Sequence, residues 1–333
     1  MGTLYINQDD VFIGKTDERL NVKHKNQTLQ DVPLIHLDGV VIMGRATISP
    51  AAIDELMQRK IPLTFLSDTG HFLGKLEPEL SKNIFVRNAQ WKAAGETPQA
   101  IHVVQGFIRG KLKNYRNSLT QTKRDHSELN LESAITQISN IIPKLDKTHN
   151  IDSLRGLEGA GSAAYFGVFN QLIRAEGFIF KPRHRPATDP VNSLMNFAYT
   201  LLRHDVQSAI NIVGFDPYLG YLHVQRYGRV GLAFDLMEEF RPLVADNMIL
   251  NAINRRIIIV NDFTVEPISN VVRLSLEGRK EFLKLYQKKK QSEFKHPVLG
   301  RKCTYQEAFE IQARLLAKYL MGEIEQYPPL VLR

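Results

Sequence analysis

The chain has 333 residues, of which 43% are hydrophobic and 23% charged, and this composition is typical of a soluble globular protein. The length predicts two domains, each large enough to bury a core. The 43 Lys and Arg residues outnumber the 35 Asp and Glu residues, which gives a formal charge of +8 and makes a polyanion a candidate partner. The single cysteine, Cys303, excludes an intrachain disulfide and a zinc site built from several thiolates.

Nothing in the sequence predicts attachment to a membrane. Residues 1–6 lack the basic and apolar regions of a signal peptide, and Ile6 breaks the myristoylation pattern. No apolar run approaches the ~20 residues that a membrane-spanning helix requires. We therefore expect a cytoplasmic protein with no membrane partner.

The first 78 residues have the pattern of short strands separated by Asp, Gly and Asn. One helix interrupts them at 48–60, where Ser49 and Pro50 form a helix start. A turn is predicted at 68–70. The predicted strands are 3–6, 11–14, 20–23, 33–37, 40–43, 63–66 and 72–76.

From Ile84 onward, apolar residues recur at spacings of three and four, which is the period of an amphipathic helix. The predicted helices after residue 112 are 131–142, 152–176, 190–213, 235–255, 276–290 and 304–319. We therefore predict an α+β protein with a small β-rich N-terminal domain at 1–78, a linker at 79–83 and a larger all-α C-terminal domain at 84–333.

Two glycine motifs resemble nucleotide-binding loops but stand in the wrong context. The run Gly159-Ala160-Gly161 matches part of a dinucleotide fingerprint, yet the residues before it indicate a helix and not the required strand. Close packing of helices through small residues explains it better. Gly106 to Lys111 is one residue too short for a phosphate loop and lacks its Ser or Thr.

Three segments combine residues that carry chemistry. Glu158 lies among small residues, and an acid that is buried there needs a partner. A Gly- and Pro-rich loop at 214–223 ends on His223. Asp235 and Glu238 are spaced i, i+3 and so share one helix face, with Pro242 predicting a bend just beyond them. Two carboxylates and an imidazole suit Mg²⁺ or Mn²⁺, although each feature alone is also common on structural and surface residues.

Basic residues concentrate near the C-terminus, where 271–333 holds 13 Lys and Arg against 7 Asp and Glu. Such a run forms either a solvated helix face or a surface that follows DNA phosphates. Arg226 and Arg229, just after His223, are either phosphate contacts or ordinary surface arginines. The C-terminal candidates for non-specific DNA contacts are Lys288, Lys289, Lys290, Lys295, Arg301 and Lys302.

Four motifs in this order resemble the CRISPR-associated integrases of spacer acquisition over nearly the whole chain. They are the Leu157-Glu158-Gly159 segment, the run at 188–194, the Gly220-Tyr221-Leu222-His223 element and the run at 235–242. The resemblance implies a metal-dependent DNA endonuclease and integrase that inserts short foreign DNA into a repeat array by transesterification. It carries the family's metal ligands over to Glu158, His223 and Glu238, and a supporting catalytic acid to Asp235.

The resemblance also implies partners. These are double-stranded DNA, a second copy of the chain contacted through the N-terminal domain, and a small ferredoxin-like adaptation protein whose dimer lies between two integrase dimers. Two other functions stay open from the residues alone. One is a non-catalytic DNA-binding scaffold, and the other is a metallohydrolase of small phosphorylated substrates, which would need neither DNA nor the basic C-terminal region.

Overall fold

The computed structural model describes residues 2–25, 27–67, 72–78, 81, 83–182 and 186–332. The turn predicted at 68–70 lies outside these residues, as do residues 79, 80 and 82 of the predicted linker.

The described residues of the N-terminal part form two four-stranded sheets. In the first, β1, β5 and β7 run parallel and β8 pairs antiparallel with β7, in the order β1-β5-β7-β8. In the second, the order is β4-β3-β2-β6. The strands are β1 Gly2–Ile6, β2 Val11–Thr16, β3 Arg19–His24, β4 Gln27–Pro33, β5 Leu37–Met43, β6 Ala46–Ile48, β7 Leu63–Leu66 and β8 Phe72–Leu76.

Both sheets and helix α1, Pro50–Gln58, share one apolar core that includes Ile13, Leu20 and Leu56. Ser49 begins α1 as predicted, because its hydroxyl accepts a hydrogen bond from the Ala52 amide at 3.2 Å. The strand predicted at 33–37 is wrong. Leu34–His36 forms a 3₁₀ turn, which separates β4 from β5.

The rest of the chain is mostly helical and encloses a second, larger core. Most of the long helices begin at a side-chain cap, such as Thr97 before Pro98 and Asp189 before Pro190. The helices are α2 Ile84–Lys92, α3 Pro98–Asp125, α4 Glu132–Ile141, α5 Ile151–Gly167, α6 Phe169–Leu172, α7 Pro190–Val213, α8 Gly231–Met237, α9 Asn247–Asn254, α10 Leu276–Gln291 and α11 Tyr305–Leu320.

Two findings correct the prediction for this region. It is not entirely α-helical, because two short hairpins interrupt it: β9 Phe263–Val265 with β10 Val272–Leu274, and β11 Glu293–Lys295 with β12 Lys302–Thr304. The helix predicted at 235–255 is also divided, since α8 ends at Met237 and a π-helical segment, Arg241–Asp246, precedes α9. Pro242 lies in that segment and has no amide hydrogen to continue an α-helical ladder.

Helix α10 packs against β1 and joins the helical part to the first sheet. The Lys290 ammonium donates to the Thr3 hydroxyl at 3.0 Å, and the Thr3 amide donates to Gln287 at 3.4 Å. Among the described helices, none combines the length and apolar character needed to cross a bilayer.

Candidate active site

The loop between α7 and α8 holds His223 in place through two glycines. Gly214 ends α7 with a φ of 105°, a left-handed conformation that a residue with a side chain rarely adopts. Gly220 lies so close to α8 that an added Cβ would come within 2.6 Å of the Gly231 carbonyl carbon and 2.7 Å of Asp235 Oδ2. The loop therefore folds tightly against the start of α8.

The carboxylate of Asp235 holds this loop in place through hydrogen bonds from its backbone. It is fully buried and accepts backbone hydrogen bonds from Tyr221 at 2.6 Å, Leu222 at 2.9 Å and His223 at 3.0 Å. It also lies 2.6 Å from Nδ1 of the His223 imidazole. An acceptor at Nδ1 assigns a proton to that nitrogen, so in the neutral form of the ring Nε2 carries the lone pair.

Glu238 lies on the other side of the imidazole, directly after α8. Its Oε1 is 3.8 Å from His223 Nε2 and 3.2 Å from Nη2 of Arg241. Arg241 begins the π-helical segment, and its guanidinium lies over the Tyr199 ring at 4.9 Å. The two acids that share an i, i+3 spacing therefore contact opposite nitrogens of one histidine.

Glu158 approaches the same place from α5. Its Oε1 accepts a hydrogen bond from Ser162 one turn later, at 2.8 Å. The ammonium of Lys111, from α3, forms ion pairs with Glu158 and, at 2.7 Å, with Oε2 of Glu238. Lys111 thus joins the two acids, while the side chains of Glu158 and His223 stay 24% and 21% exposed and form the open side of the site.

The charge of Glu238 is stabilised by its cationic neighbours. Burial raises the pKa of this carboxyl, but Arg241, Lys111 and His223 outweigh that effect and lower the pKa to about 2. At neutral pH the site therefore presents an ionised carboxylate whose Oε1 lies 3.8 Å from Nε2 of the His223 imidazole.

The donor set fits a hard or borderline divalent ion. Two carboxylates and one imidazole Nε2 converge, and the histidine has the carboxylate support at Nδ1 that metal-bound histidines usually have. In the described part of the chain, no three His, Cys, Asp or Glu side chains are already arranged around a common ion position. The Lys111 ammonium lies between the two glutamates instead.

Comparison with known proteins places the chain in a family. A family model described as CRISPR associated protein Cas1 matches residues 4–288. The chain belongs to this family. The endonuclease Cas1 1 of Chlorobaculum tepidum is 34% identical over 340 aligned residues, which cover 100% of this chain and 99% of that protein. The predicted family is therefore confirmed.

Two solved structures share the fold of this Cas1-family chain. A casposase bound to integration product matches with a TM-score of 0.85 and 22% identity, covering 100% of this chain and 95% of the casposase. A Cas6-RT-Cas1–Cas2 complex matches with a TM-score of 0.80 and 24% identity, covering 98% of this chain and 36% of the longer one. The α+β architecture predicted from the sequence is confirmed.

Sequence reasoning missed two cations of the site, Lys111 and Arg241. Lys111 falls three and four residues after Ile108 and Phe107, on the apolar stripe of α3, and a lysine in that position needs an anionic partner. That signal was present in the sequence. Arg241 carried no comparable signal, because its role depends on the π-helical segment.

The glycine motif at 159–161 lies inside α5 and does not follow a strand. An added Cβ on Gly161 would clash with the Leu112 side chain of α3. The predicted close packing of helices therefore accounts for this motif, and it places Glu158 within reach of Lys111.

The predicted DNA contacts differ in exposure. Arg226 is exposed, whereas Arg229 is half-buried with its guanidinium 5.3 Å from the Phe234 ring centre. Lys289 is also half-buried, 4.6 Å from the Tyr305 ring centre, and burial lowers its pKa to about 8. The exposed candidates near the C-terminus are Lys288, Lys295, Arg301 and Lys302.

Lys290 is wrong as a predicted DNA contact. Its side chain is fully buried at the junction of α7, α10 and β1, where its ammonium pairs with Asp205 at 3.0 Å. A lysine that neutralises a buried carboxylate has no face left for a phosphate.

Proposed function

We propose that this chain is a divalent-metal-dependent DNA endonuclease and integrase that inserts short DNA into a CRISPR repeat array. The observation that carries the proposal is the position of His223, whose Nδ1 is fixed by Asp235 and whose Nε2 faces Glu238. Its relative in Chlorobaculum tepidum is named an endonuclease, and family membership brings that activity to this chain as part of the proposal.

Glu158, His223 and Glu238 would hold Mg²⁺ or Mn²⁺. When bound, such an ion polarises a phosphate and favours ionisation of the attacking hydroxyl. Asp235 acts as a positioning residue, because its carboxylate sets the tautomer and the orientation of the imidazole. Arg155 adds a further constraint, since its Nε donates to the Leu222 carbonyl at 2.5 Å and holds the histidine loop against α5.

The reaction is a transesterification. The 3′-hydroxyl oxygen of the incoming DNA bonds to phosphorus, the bond to the departing 3′-oxygen breaks, and that oxygen leaves with a proton. One phosphodiester replaces another, so no external energy source is required. With water as the attacking group, the same site hydrolyses DNA.

A cleft lined by aromatic side chains and Arg226 supports single-stranded DNA as part of the substrate. Trp91, Tyr218 and Tyr227 are all more than half exposed and line this cleft, of about 350 Å³, together with Arg226. Bases stack on exposed aromatic rings without regard to sequence, and arginine contacts phosphates. Part of the lining, Gln225 to Gly228, follows closely after His223 in the chain.

The proposal includes protein partners. The matching Cas6-RT-Cas1–Cas2 complex supports a small adaptation protein as one of them. We assign the contact with a second copy of the chain to the N-terminal domain, 1–78, which exposes the apolar side chains of Ile35 and Leu73 by 68% and 66%. Two dimers of this chain around one partner dimer complete the proposed assembly, with residues 84–333 as the catalytic domain.

A strand-transfer assay tests the function. Short labelled duplexes are incubated with supercoiled repeat-containing plasmid and Mn²⁺ or Mg²⁺, with and without the partner protein. We expect metal-dependent joining that His223→Ala abolishes and that His149→Ala, which changes an exposed histidine, preserves. DNA binding without joining would favour the scaffold function, and joining by His223→Ala would exclude the assigned site.

A further inference from the structure

Lys111 is a buried cation of the proposed site to which the proposed reaction assigns no step. Its side chain is 3% exposed, and its ammonium contacts both Glu158 and Glu238. It also lies 5.6 Å from the centre of the Tyr115 ring. The ammonium therefore occupies the space between the two carboxylates that the proposed metal ion would share.

The backbone around Lys111 is built for this close approach. An added Cβ on Gly110 would lie 2.9 Å from Cγ of Glu239 and 3.0 Å from Cβ of Pro329. An added Cβ on Gly106 would lie 2.8 Å from the Tyr327 ring. Gly110 thus lets α3 approach Glu239, the neighbour of Glu238, and both glycines let α3 approach the C-terminal segment that holds Tyr327 and Pro329.

The contact between Lys111 and Glu238 is an ion pair that another cation could replace. Oε2 of Glu238 is buried and accepts no well-aligned hydrogen bond within the described residues, although Lys111 Nζ lies 2.7 Å away as an ion pair. Oε1 keeps its separate contact with Arg241 at 3.2 Å. Loss of Lys111 from this position would therefore leave Glu238 with one cation and Glu158 with a hydroxyl partner, Ser162.

Lys111 balances the negative charges of Glu158 and Glu238. Glu158 and Glu238 contact the same ammonium, so without a cation between them the two carboxylates would repel each other, and that of Glu238 is buried. An ammonium and a divalent ion cannot both lie between the same oxygens, because an ion such as Mg²⁺ approaches its oxygen ligands to about 2.1 Å. One cation must leave when the other enters.

We propose that Lys111 is a tethered counter-ion that occupies the cation position of this site until a divalent metal displaces it. The inference rests on the proposed function, because it takes Glu158 and Glu238 as metal ligands. Lys111 stabilises the metal-free protein and lowers its affinity for metal. Removal of the ammonium then has two opposite effects: the metal-free protein loses stability, and the metal binds more tightly.

The test compares Mn²⁺ dissociation constants and melting temperatures of the full chain. Lys111→Met keeps the length of the side chain and removes its charge. We expect Mn²⁺ to bind about tenfold more tightly or better, and the melting temperature in EDTA to fall, with a larger rise on Mn²⁺ addition than in the wild type. Lys111→Gln, which retains a hydrogen-bond donor, serves as a second variant if Lys111→Met does not fold.

Lys290→Met is the matched control, because it removes a second fully buried lysine, which is far from Lys111 in sequence and pairs with Asp205 instead. It should lower the melting temperature but leave the Mn²⁺ dissociation constant within about twofold of the wild type. His223→Ala shows whether the bound ion lies in the proposed site.

The outcomes separate the inference from the function. If the wild type binds Mn²⁺ through His223 and the Lys111 variants bind it equally or more weakly, Lys111 is not a displaced counter-ion and the metal site stands. If neither the wild type nor the Lys111 variants bind Mn²⁺, the metal site and the inference are both overturned. Tighter binding by the Lys111 variants, lost again when His223→Ala is added, supports both.

Discussion

Lys111 and Lys290 are two buried lysines with different surroundings. Lys290 pairs with one carboxylate, Asp205, and also donates to the Thr3 hydroxyl. Asp205 in turn accepts a hydrogen bond from the Tyr286 hydroxyl at 2.6 Å. Lys111 lies between two carboxylates in a site that remains open at Glu158 and His223. The first cluster joins two parts of the fold, and the second faces solvent.

The difference shows how a fold separates structural from functional charge. At the junction, ammonium, carboxylate and hydroxyls satisfy one another, so nothing is left to bind a ligand. At the candidate active site, Asp235, Glu158 and Glu238 outnumber Lys111 and Arg241, and Nε2 of His223 faces Glu238. Binding capacity arises where buried charges are incompletely balanced.

The largest effect on stability is expected from breaking the junction. Lys290→Met should lower the free energy of unfolding by about 3 kcal/mol, because Asp205 loses its cationic partner in a mostly buried position. Urea unfolding measures the loss. Lys288→Met, an exposed change on the same helix, should have almost no effect, and equal losses in both variants would contradict the structural role of Lys290.

A smaller loss is expected from Gly220→Ala, which crowds the histidine loop against α8. Because the new Cβ would meet Gly231 and Asp235, the free energy of unfolding should fall by about 1–3 kcal/mol, and strand transfer should fall with it. Denaturant unfolding and the joining assay measure the two effects. Gly156→Ala, where an added Cβ meets nothing within 4 Å, should leave stability unchanged or raise it.

Asp235→Asn should affect function more than folding. An amide has one acceptor oxygen where the carboxylate has two, so either His223 or the Tyr221 and Leu222 amides lose their acceptor, and the loop that orients the imidazole is disturbed. We expect Mn²⁺ affinity and joining to fall about 10- to 100-fold. Asp216→Asn is the control, since its side chain can still accept from the Tyr218 amide. Full activity of Asp235→Asn would exclude the positioning role.

The smallest effect concerns His204, near the junction of β8 and α7. Burial, with Arg203 and Lys75 nearby, lowers the pKa of this imidazole to about 2. The unfolded chain binds a proton below about pH 6.5 and the folded chain does not, so stability falls as pH drops, by at most about 1.4 kcal/mol per pH unit.

His204→Gln should reduce this loss, measured as urea midpoints at pH 7.5, 6.5 and 5.5. The exposed change His149→Gln should preserve the wild-type slope. Identical slopes in His204→Gln and the wild type would show that other groups cause the acid sensitivity.

The sequence predicted elements whose signals are local. The helix Pro190–Val213 has the predicted bounds, because Asp189 caps its start, Pro190 suits its first turn and Gly214 ends it. Strand β4 escaped prediction for the opposite reason. Its side chains are mostly exposed and show no alternating pattern, so pairing with β3 defines it.

The candidate site likewise has residues that the sequence indicated and contacts that depend on tertiary packing. Residue types and motif order can be read from a sequence without knowledge of its fold. They identified the candidate residues Glu158, His223, Asp235 and Glu238. Their assignment as metal ligands and support stays a prediction. The sequence by itself thus determined the family and the fold class, and it supplied the candidate residues of the site.

Only the tertiary structure decided which charges meet. Lys111 reaches Glu158 and Glu238 from a helix more than 40 residues away along the chain, and Lys290 lies buried next to residue 3 although it belongs to an exposed-looking lysine run. Local patterns report which side chains lie on one face of an element. The partner of a buried charge depends on how separate elements pack, because electrostatic pairing requires closeness in space and not in sequence.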